Sequence, residues 1–183
     1  ARRTGRPALA RLVLLLGLVW CVTDSPVWPR TARTLNLVLN DAPRRAIHAF
    51  QPMSEDFDIL ATEDFADLLA RHRAPGDSLF LWGYETMLYL LAQEPPRYRY
   101  PYSWPFLTAF HDGRYTADLM ARLTADPPRH IVVQKHDATP WATGRPESSA
   151  EYLESFAELK AFLDQGYTRI EETDRFDLYQ HHP

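Results

Sequence analysis

Short apolar runs alternate along this chain with charged stretches broken by proline, and the spacing of the apolar positions predicts its elements. Phe65, Leu68 and Leu69 fall at i, i+3 and i+4, the stripe of a helix with one buried face. Thr62 reads as its N-cap. Glu63 and Asp64 in the first turn and Arg71, His72 and Arg73 in the last match the helix dipole. Pro75-Gly76 stops this helix. Ser78 to Trp82 is short and apolar, as a strand covered on both faces should be, and Gly83 ends it. Glu85 to Ala92 restarts a helix with Met87, Leu88, Leu90 and Leu91 inward.

Glu94 to Phe110 is irregular and rich in rings (Tyr98, Tyr100, Tyr102, Trp104, Phe106, Phe110), punctuated by four prolines. It reads as a loop packing its own rings over the sheet, or as an interfacial or ligand-facing lid, since Tyr and Trp suit a headgroup boundary. Thr116 to Ala125 is a further helix, ended by Pro127-Pro128. Arg129 to Gln134 is the clearest strand, and Thr139 to Pro146 a loop. Ser148 and Glu151 form a capping box that opens a long helix with Tyr152, Phe156, Leu159 and Leu163 at helical spacing, capped by Gly166. Tyr167–Glu172 and Phe176–Tyr179 alternate in and out as a closing hairpin. The expected fold is α/β: a three-layer, Rossmann-like, mainly parallel sheet with an antiparallel C-terminal hairpin.

Ahead of this lies the most apolar run, Ala8 to Val22, preceded by Arg2, Arg3 and Arg6, interrupted by Arg11, and followed by Asp24 and Pro26. A signal peptide fits the basic start, but no small-x-small cleavage site follows. A lipoprotein signal would need a small residue before Cys21, where Trp20 stands. A buried soluble helix is the plain alternative. The charge asymmetry favours a membrane helix, arginines on the cytoplasmic side and C-terminal side outside. Thr31 to Phe50 follows as a mixed segment whose Leu35, Val38 and Leu39 share one helical face. It either extends the first helix or lies along a bilayer surface. The expected organisation is a basic flank and membrane helix over 1–30, a connector over 31–54 and an extracytoplasmic α/β domain over 55–183.

The bulk numbers refine this picture only in part. With 183 residues, 45% of them hydrophobic, the chain can bury a core. A net charge of −4 speaks against nucleic acid, which is usually met by a basic face. The 20 basic residues include only two lysines, Lys135 and Lys160, a usage that suggests a GC-rich bacterial source. Cys21 is the single cysteine, so no intrachain disulfide can form. The chain begins at Ala1 and not at Met, which reads as a piece of a longer protein.

Candidate chemistry is sparse. No Gly-x-Gly-x-x-Gly follows the first strand, and no Walker loop, Gly-x-Ser-x-Gly elbow or His-Glu-x-x-His occurs, so neither a cofactor nor a metal is expected. The seven histidines show no metal-ligand spacing. Glu55, Asp56 and Asp58 form an acidic cluster that reads as a solvated face. In open α/β sheets, ligands sit beyond the carboxyl ends of the strands. Tyr84 and Glu85 follow one strand there, and Lys135, His136 and Asp137 follow the other. If those strands are neighbours, an acid, a base and a cation converge, and these five residues are the candidate substrate-binding set. Polar loops at a sheet edge, and a first-turn glutamate favoured by the helix dipole, are the plainer reading.

The order of pieces also resembles a known family. An apolar helix with flanking arginines is followed by a helix ending in Pro75-Gly76-Asp77. The strand Leu79-Phe80-Leu81-Trp82-Gly83, the helix Glu85-Thr86-Met87-Leu88-Tyr89-Leu90-Leu91, the run Pro127-Pro128-Arg129-His130-Ile131-Val132-Val133 and the closing Phe176-Asp177-Leu178-Tyr179 complete it. Over roughly residues 8 to 180 this resembles the C-terminal extracytoplasmic domain of bacterial GT-C membrane glycosyltransferases, the protein O-mannosyltransferase and aminoarabinose-transferase-like family. The resemblance implies an inner-membrane enzyme that moves a sugar from a polyprenyl-phosphate carrier to an acceptor outside the cytoplasm. The family's catalytic acidic residue lies in a loop after its first membrane helix, so no catalytic residue is carried over to this chain. The expected role is to support acceptor or carrier binding. The alternative is a singly anchored α/β domain that binds a small ligand or protein partner.

Overall fold

The structure, a computed structural model, describes residues 13–15, 17, 19, 20, 27–40, 43–48, 57–108 and 111–182. Two compact units divide the chain, Ala1–Pro52 and Met53–Pro183. In the first, helices α1 (Val27–Leu39) and α2 (Arg44–His48) follow one another. Leu35, Val38 and Leu39 share an exposed face of α1, at the i, i+3, i+4 positions read from the sequence. Residues 13–15, 17, 19 and 20 are helical, and their apolar side chains are exposed. The rest of the expected Ala8–Val22 membrane segment lies outside the described residues. Among the described residues, no helix is long and apolar enough to cross a membrane.

The second unit is an α/β structure. Its elements in order are α3 (Ile59–His72), β1 (Leu79–Trp82), α4 (Met87–Leu91), α5 (Trp104–Leu107), α6 (Gly113–Ala125), β2 (His130–Gln134), α7 (Pro140–Thr143), α8 (Ser149–Ser155), α9 (Ala157–Gly166), β3 (Tyr167–Glu172) and β4 (Phe176–His181). The four strands form one sheet in the order β1-β2-β4-β3. Only β1 and β2 are parallel; β4 runs antiparallel to both β2 and β3. The sheet is therefore mixed, where a mainly parallel one is expected from the sequence. The reason is the hairpin: its second strand, not its first, pairs with β2, so every pairing it adds is antiparallel.

Alternate strand residues enter two separate side-chain clusters, as the two-residue strand period requires. Phe80, Trp82, Ile131 and Val133 pack with Leu119 and Leu123 of α6 and with Leu153, Phe156, Leu159 and Leu163 from the α8–α9 region. Leu79, Leu81, Val132 and Leu178 pack with Phe65 and Leu69 of α3 and Leu88 and Tyr89 of α4. The continuous apolar runs of β1 and β2 follow from this, because both strands are buried along their whole length.

Local differences from the sequence reading have local causes. The N-cap of helix α3 lies four residues before Thr62, because the Asp58 carboxylate accepts the Ala61 N–H at 3.0 Å and so acts as the cap. The Thr62 hydroxyl instead donates back to the Asp58 carbonyl at 2.8 Å, inside the helix. The long helix expected after Ser148 is two helices that meet at Phe156 (φ −91°, ψ 78°). That break seats the Phe156 ring against Trp82 and Phe106, with centroids 5.5 and 6.1 Å away. On α4 the buried positions are Leu88 and Tyr89, and Leu90 is exposed. Tyr89 turns inward because its hydroxyl accepts the Leu81 N–H of β1 at 2.9 Å, satisfying a donor on the sheet's open edge.

Half of the aromatic stretch serves the core. Tyr98, Tyr100 and Phe106 are buried, while Tyr102 and Trp104 are only half covered. Of the acidic cluster, Glu55 and Asp56 lie outside the described residues.

Candidate functional site

Strands β1 and β2 are neighbours in register, Trp82 beside Val133, so their carboxyl ends do open onto one edge. What joins the two ends is Gln134, the polar last residue of an apolar strand. Its side-chain oxygen accepts the backbone N–H of Tyr84 at 2.7 Å and of Glu85 at 2.8 Å. Gln134 is buried, so it replaces water as the partner of two donors left over where β1 ends.

A second network lies beside it. Asp137 is fully buried and accepts both the backbone N–H and the hydroxyl of Ser149, each at 2.7 Å. The single Ser149 proton is thereby committed, so at 2.7 Å the Ser103 hydroxyl is the donor and Ser149 Oγ the acceptor. The Ser149 carbonyl takes the Trp82 indole N–H at 2.9 Å, and the Ser103 N–H closes onto the Gly83 carbonyl at 3.0 Å. This network ties β1, the aromatic segment, the turn after β2 and the start of α8 together.

The five residues singled out in the sequence divide into three groups. Tyr84 and Asp137 belong together: burial pushes the Tyr84 phenol up to about 12, Thr139 beside it works the other way, and the Asp137 charge adds to the rise. At neutral pH, Tyr84 is therefore a hydrogen-bond donor and not a base. Glu85 goes elsewhere, buried against the Met87 N–H and Thr62 of α3, and desolvation raises its carboxyl above the usual range. Lys135 turns to the hairpin, 3.1 Å from Asp177 and 3.3 Å from Glu172. His136, in left-handed backbone (φ 56°), is exposed and 3.9 Å from Asp174. Lys135 and His136 line a pocket of about 550 Å³ with Ser148 and Glu151. Acid, base and cation thus do not converge, because the residues following each strand leave the edge in different directions.

The cavity at this edge is instead an aromatic one. Tyr84, Tyr102, Trp104, Thr139 and Trp141, with Phe57, line a pocket of about 410 Å³ that carries no charged group. At its wall the Tyr84 hydroxyl and Thr139 Oγ1 are both buried and lie beside each other, with no partner outside the pair. Such a pocket suits an uncharged ligand with an apolar surface and a few oxygens, since its lining sets the hydroxyls of Tyr84, Thr86, Tyr102 and Thr139 among rings and carries no charge. Trp104 is visible in the sequence as part of the aromatic stretch. Thr139 and Trp141 are not, since a loop of mixed composition gives no periodic signal. Among the described residues, no group of three or more His, Cys, Asp or Glu is placed to hold a metal ion.

Comparison of the chain with protein-family models, with curated proteins and with solved structures gives no match.

Proposed function

We propose that this chain is the C-terminal portion of a polyprenyl-phosphate-sugar-dependent membrane glycosyltransferase, and that its α/β unit, a Rossmann-like three-layer module, supports binding of the acceptor or of the lipid-linked sugar. The observation that carries the reading is the uncharged aromatic pocket at the carboxyl edge of β1 and β2, with the paired Tyr84 and Thr139 hydroxyls at its wall. Ring faces of Tyr and Trp suit the C–H face of a sugar or an isoprenoid unit, and the hydroxyls suit a neutral oxygen. The side-chain clusters built on alternate strand residues support the layering, and the order of strands, turns and helices supports the family resemblance. Catalysis and the carrier phosphate belong, in this reading, to a membrane region N-terminal to Ala1.

Two measurements test it. The coding sequence upstream of Ala1 is expected to encode further membrane helices; an open reading frame without them overturns the glycosyltransferase assignment. Thermal-shift titration of the full 183-residue chain with methyl pyranosides and with a short-chain prenyl alcohol is expected to raise the midpoint. The rise should be reduced in Tyr84→Phe and in Trp141→Ala. A response without upstream helices supports the singly anchored binding domain instead. No response to any probe removes the pocket from the mechanism.

A further inference from the structure

Helix α1 has two unlike sides. Leu35, Val38 and Leu39 stand 54%, 52% and 71% exposed along one of them. Arg33, Asn36 and Asn40 are centred roughly 140° away around the axis at about 3.6 residues per turn. The Asn40 amide donates to the Asn36 side-chain oxygen at 2.8 Å and to the Asn36 carbonyl at 2.7 Å, so the two asparagines finish the helix on its polar side. Leu37, which falls off the apolar stripe, is half-buried, so it is the stripe itself that faces outward. The same unit also exposes Val13, Leu14, Leu15, Val19 and Trp20, which sets the stripe apart from the scattered apolar residues that any surface carries. Positive charge is gathered in this unit too. Residues 1–52 hold eight arginines against Asp24 and Asp41, a net +6, and the chain total of −4 leaves −10 for residues 53–183. Arg33 on α1 and Arg45 on α2 are both exposed.

We infer that α1 is an interfacial helix, lying in the plane of an anionic phospholipid bilayer with Leu35, Val38 and Leu39 against the acyl chains and Arg33 and Asn36 among the headgroups. Charge complementarity selects this occupant. A helix with an apolar stripe on one side and arginine on the other, in a unit of net positive charge, matches a surface that is greasy below and negative above. A second copy of the same unit matches it poorly, because +6 would then meet +6. Crossing the bilayer does not fit either. The 13 residues of α1 reach about 20 Å, short of the roughly 30 Å of hydrocarbon, and a spanning helix would carry Arg33 and Asn36 into it. In the plane, the same two residues stay in contact with water and phosphate. The inference is independent of what the aromatic pocket binds and of the glycosyltransferase reading, since it rests on residues of the first unit alone.

Site-specific labelling of the full 183-residue chain tests it. In a Cys21→Ser background, an environment-sensitive fluorophore is placed through Leu35→Cys, Leu39→Cys or Asn36→Cys. With vesicles of phosphatidylcholine and phosphatidylglycerol, the labels at 35 and 39 are expected to shift to the blue and to lose access to iodide, while the label at 36 keeps it. Positions 35 and 36 are chain neighbours, so attachment through the apolar run Leu12–Val22 alone would treat them alike. Equal access at the two overturns the inference, whether both are shielded or both open. So does a blue shift at 35 and 39 before vesicles are added, which would assign the stripe to the acidic α/β unit or to a second copy. Arg33→Gln and Arg45→Gln, each in the Leu35→Cys chain, are expected to raise the lipid concentration for half of the shift roughly five-fold at low salt. Added sodium chloride should weaken binding in the same direction. An unchanged midpoint on vesicles of phosphatidylcholine alone overturns the anionic surface. Hydrogen exchange of the unsubstituted chain provides a check free of variants: the mixed vesicles are expected to slow exchange over Val27–Leu39, and unchanged exchange overturns the inference.

Discussion

Gln134 occupies the space that a side chain at Gly83 would need: a Cβ there would collide with Gln134 Cβ and lie 2.6 Å from its Oε1. Gly83 is not held for its backbone freedom; its φ is outside the left-handed region. It is held because the carboxamide must pass over it to reach the Tyr84 and Glu85 N–H groups.

Gly83→Ala is therefore expected to displace that carboxamide and to destabilise the chain by about 2–3 kcal/mol, the scale of overpacking plus a lost acceptor. Gln134→Met keeps the length of the side chain and removes the acceptor, leaving two buried donors unpaired at a cost of about 2–4 kcal/mol. Urea unfolding of both variants and of the double variant checks this. Because both act on one contact, the double variant should lose much less than the sum. Simple additivity would show that the two residues do not work together.

Ser149 and Asp137 make a second testable pair. Ser149→Ala removes a hydroxyl that donates to Asp137 and accepts from Ser103, and about 1–3 kcal/mol of stability is expected to go with it. Asp137→Asn should cost less than Asp137→Leu. The amide oxygen can still accept the Ser149 N–H, its NH₂ can donate to Ser149 Oγ, and the Ser149 proton can turn toward Ser103. Denaturation midpoints that rank Asn and Leu together would mean that the hydrogen bonds matter less than the shape.

His130 should make the fold sensitive to acid. It is fully buried, neither ring nitrogen has a hydrogen-bond partner, and desolvation brings it from 6.5 down to about 4. Between those values the unfolded chain binds the proton and the folded chain does not. Stability therefore falls as pH drops through about 6.5, and the loss is complete below about 4, where it reaches about 3 kcal/mol. Carboxylates titrate in the same window, so the informative quantity is the difference between the wild type and His130→Met. That difference should move in favour of the variant as the solution is acidified. Parallel pH profiles would remove His130 as the cause.

The contrast among these residues explains what could be read in advance. Leu79–Trp82 and Ile131–Val133 are apolar without a break because both strand faces are covered, and that signal survives in one dimension. The Ser148–Glu151 capping box is equally local; its two reciprocal hydrogen bonds span three residues, and the structure has both. The pairing of β4 with β2 is not local. Nothing in Phe176–Tyr179 tells which strand of a hairpin joins the sheet, so the expectation of a mainly parallel sheet failed there. The condition that the two strands be neighbours is met by the parallel pairing of β1 and β2, but the side chains that line their carboxyl edge could not be read from the rule for open sheets. Gln134 looks like the polite end of a strand, and Lys135 looks free until Asp177 and Glu172 arrive from a hairpin about forty residues away in sequence. Tyr84 and Asp137 come from that same rule, whereas Thr139 and Trp141 depend on how a proline-bounded turn folds.

The turn that precedes β1 provides the last prediction, because burial there decides which of two similar ion pairs matters. Arg73 caps the end of α3 and donates to the Asp77 carbonyl at 2.6 Å and the Ala92 carbonyl at 3.0 Å, and it lies 3.4 Å from Glu94. Both charged side chains are almost wholly buried, while Arg97, on the other oxygen of Glu94, is half in solvent. Removing one member of a buried pair leaves the other charge uncompensated, which costs about 3–5 kcal/mol, whereas an exposed partner is worth less than about 1 kcal/mol. Glu94→Gln should therefore sit near the lower end of the first range, since Arg73 keeps its two carbonyls, and its deficit should persist in high salt. Arg97→Ala should lose little, and added salt should shrink even that. Guanidinium is itself a salt, so urea titrations with and without sodium chloride are the appropriate measurement. Equal, salt-sensitive losses in the two variants would show that Arg73 and Glu94 are solvated and that burial does not distinguish the two pairs.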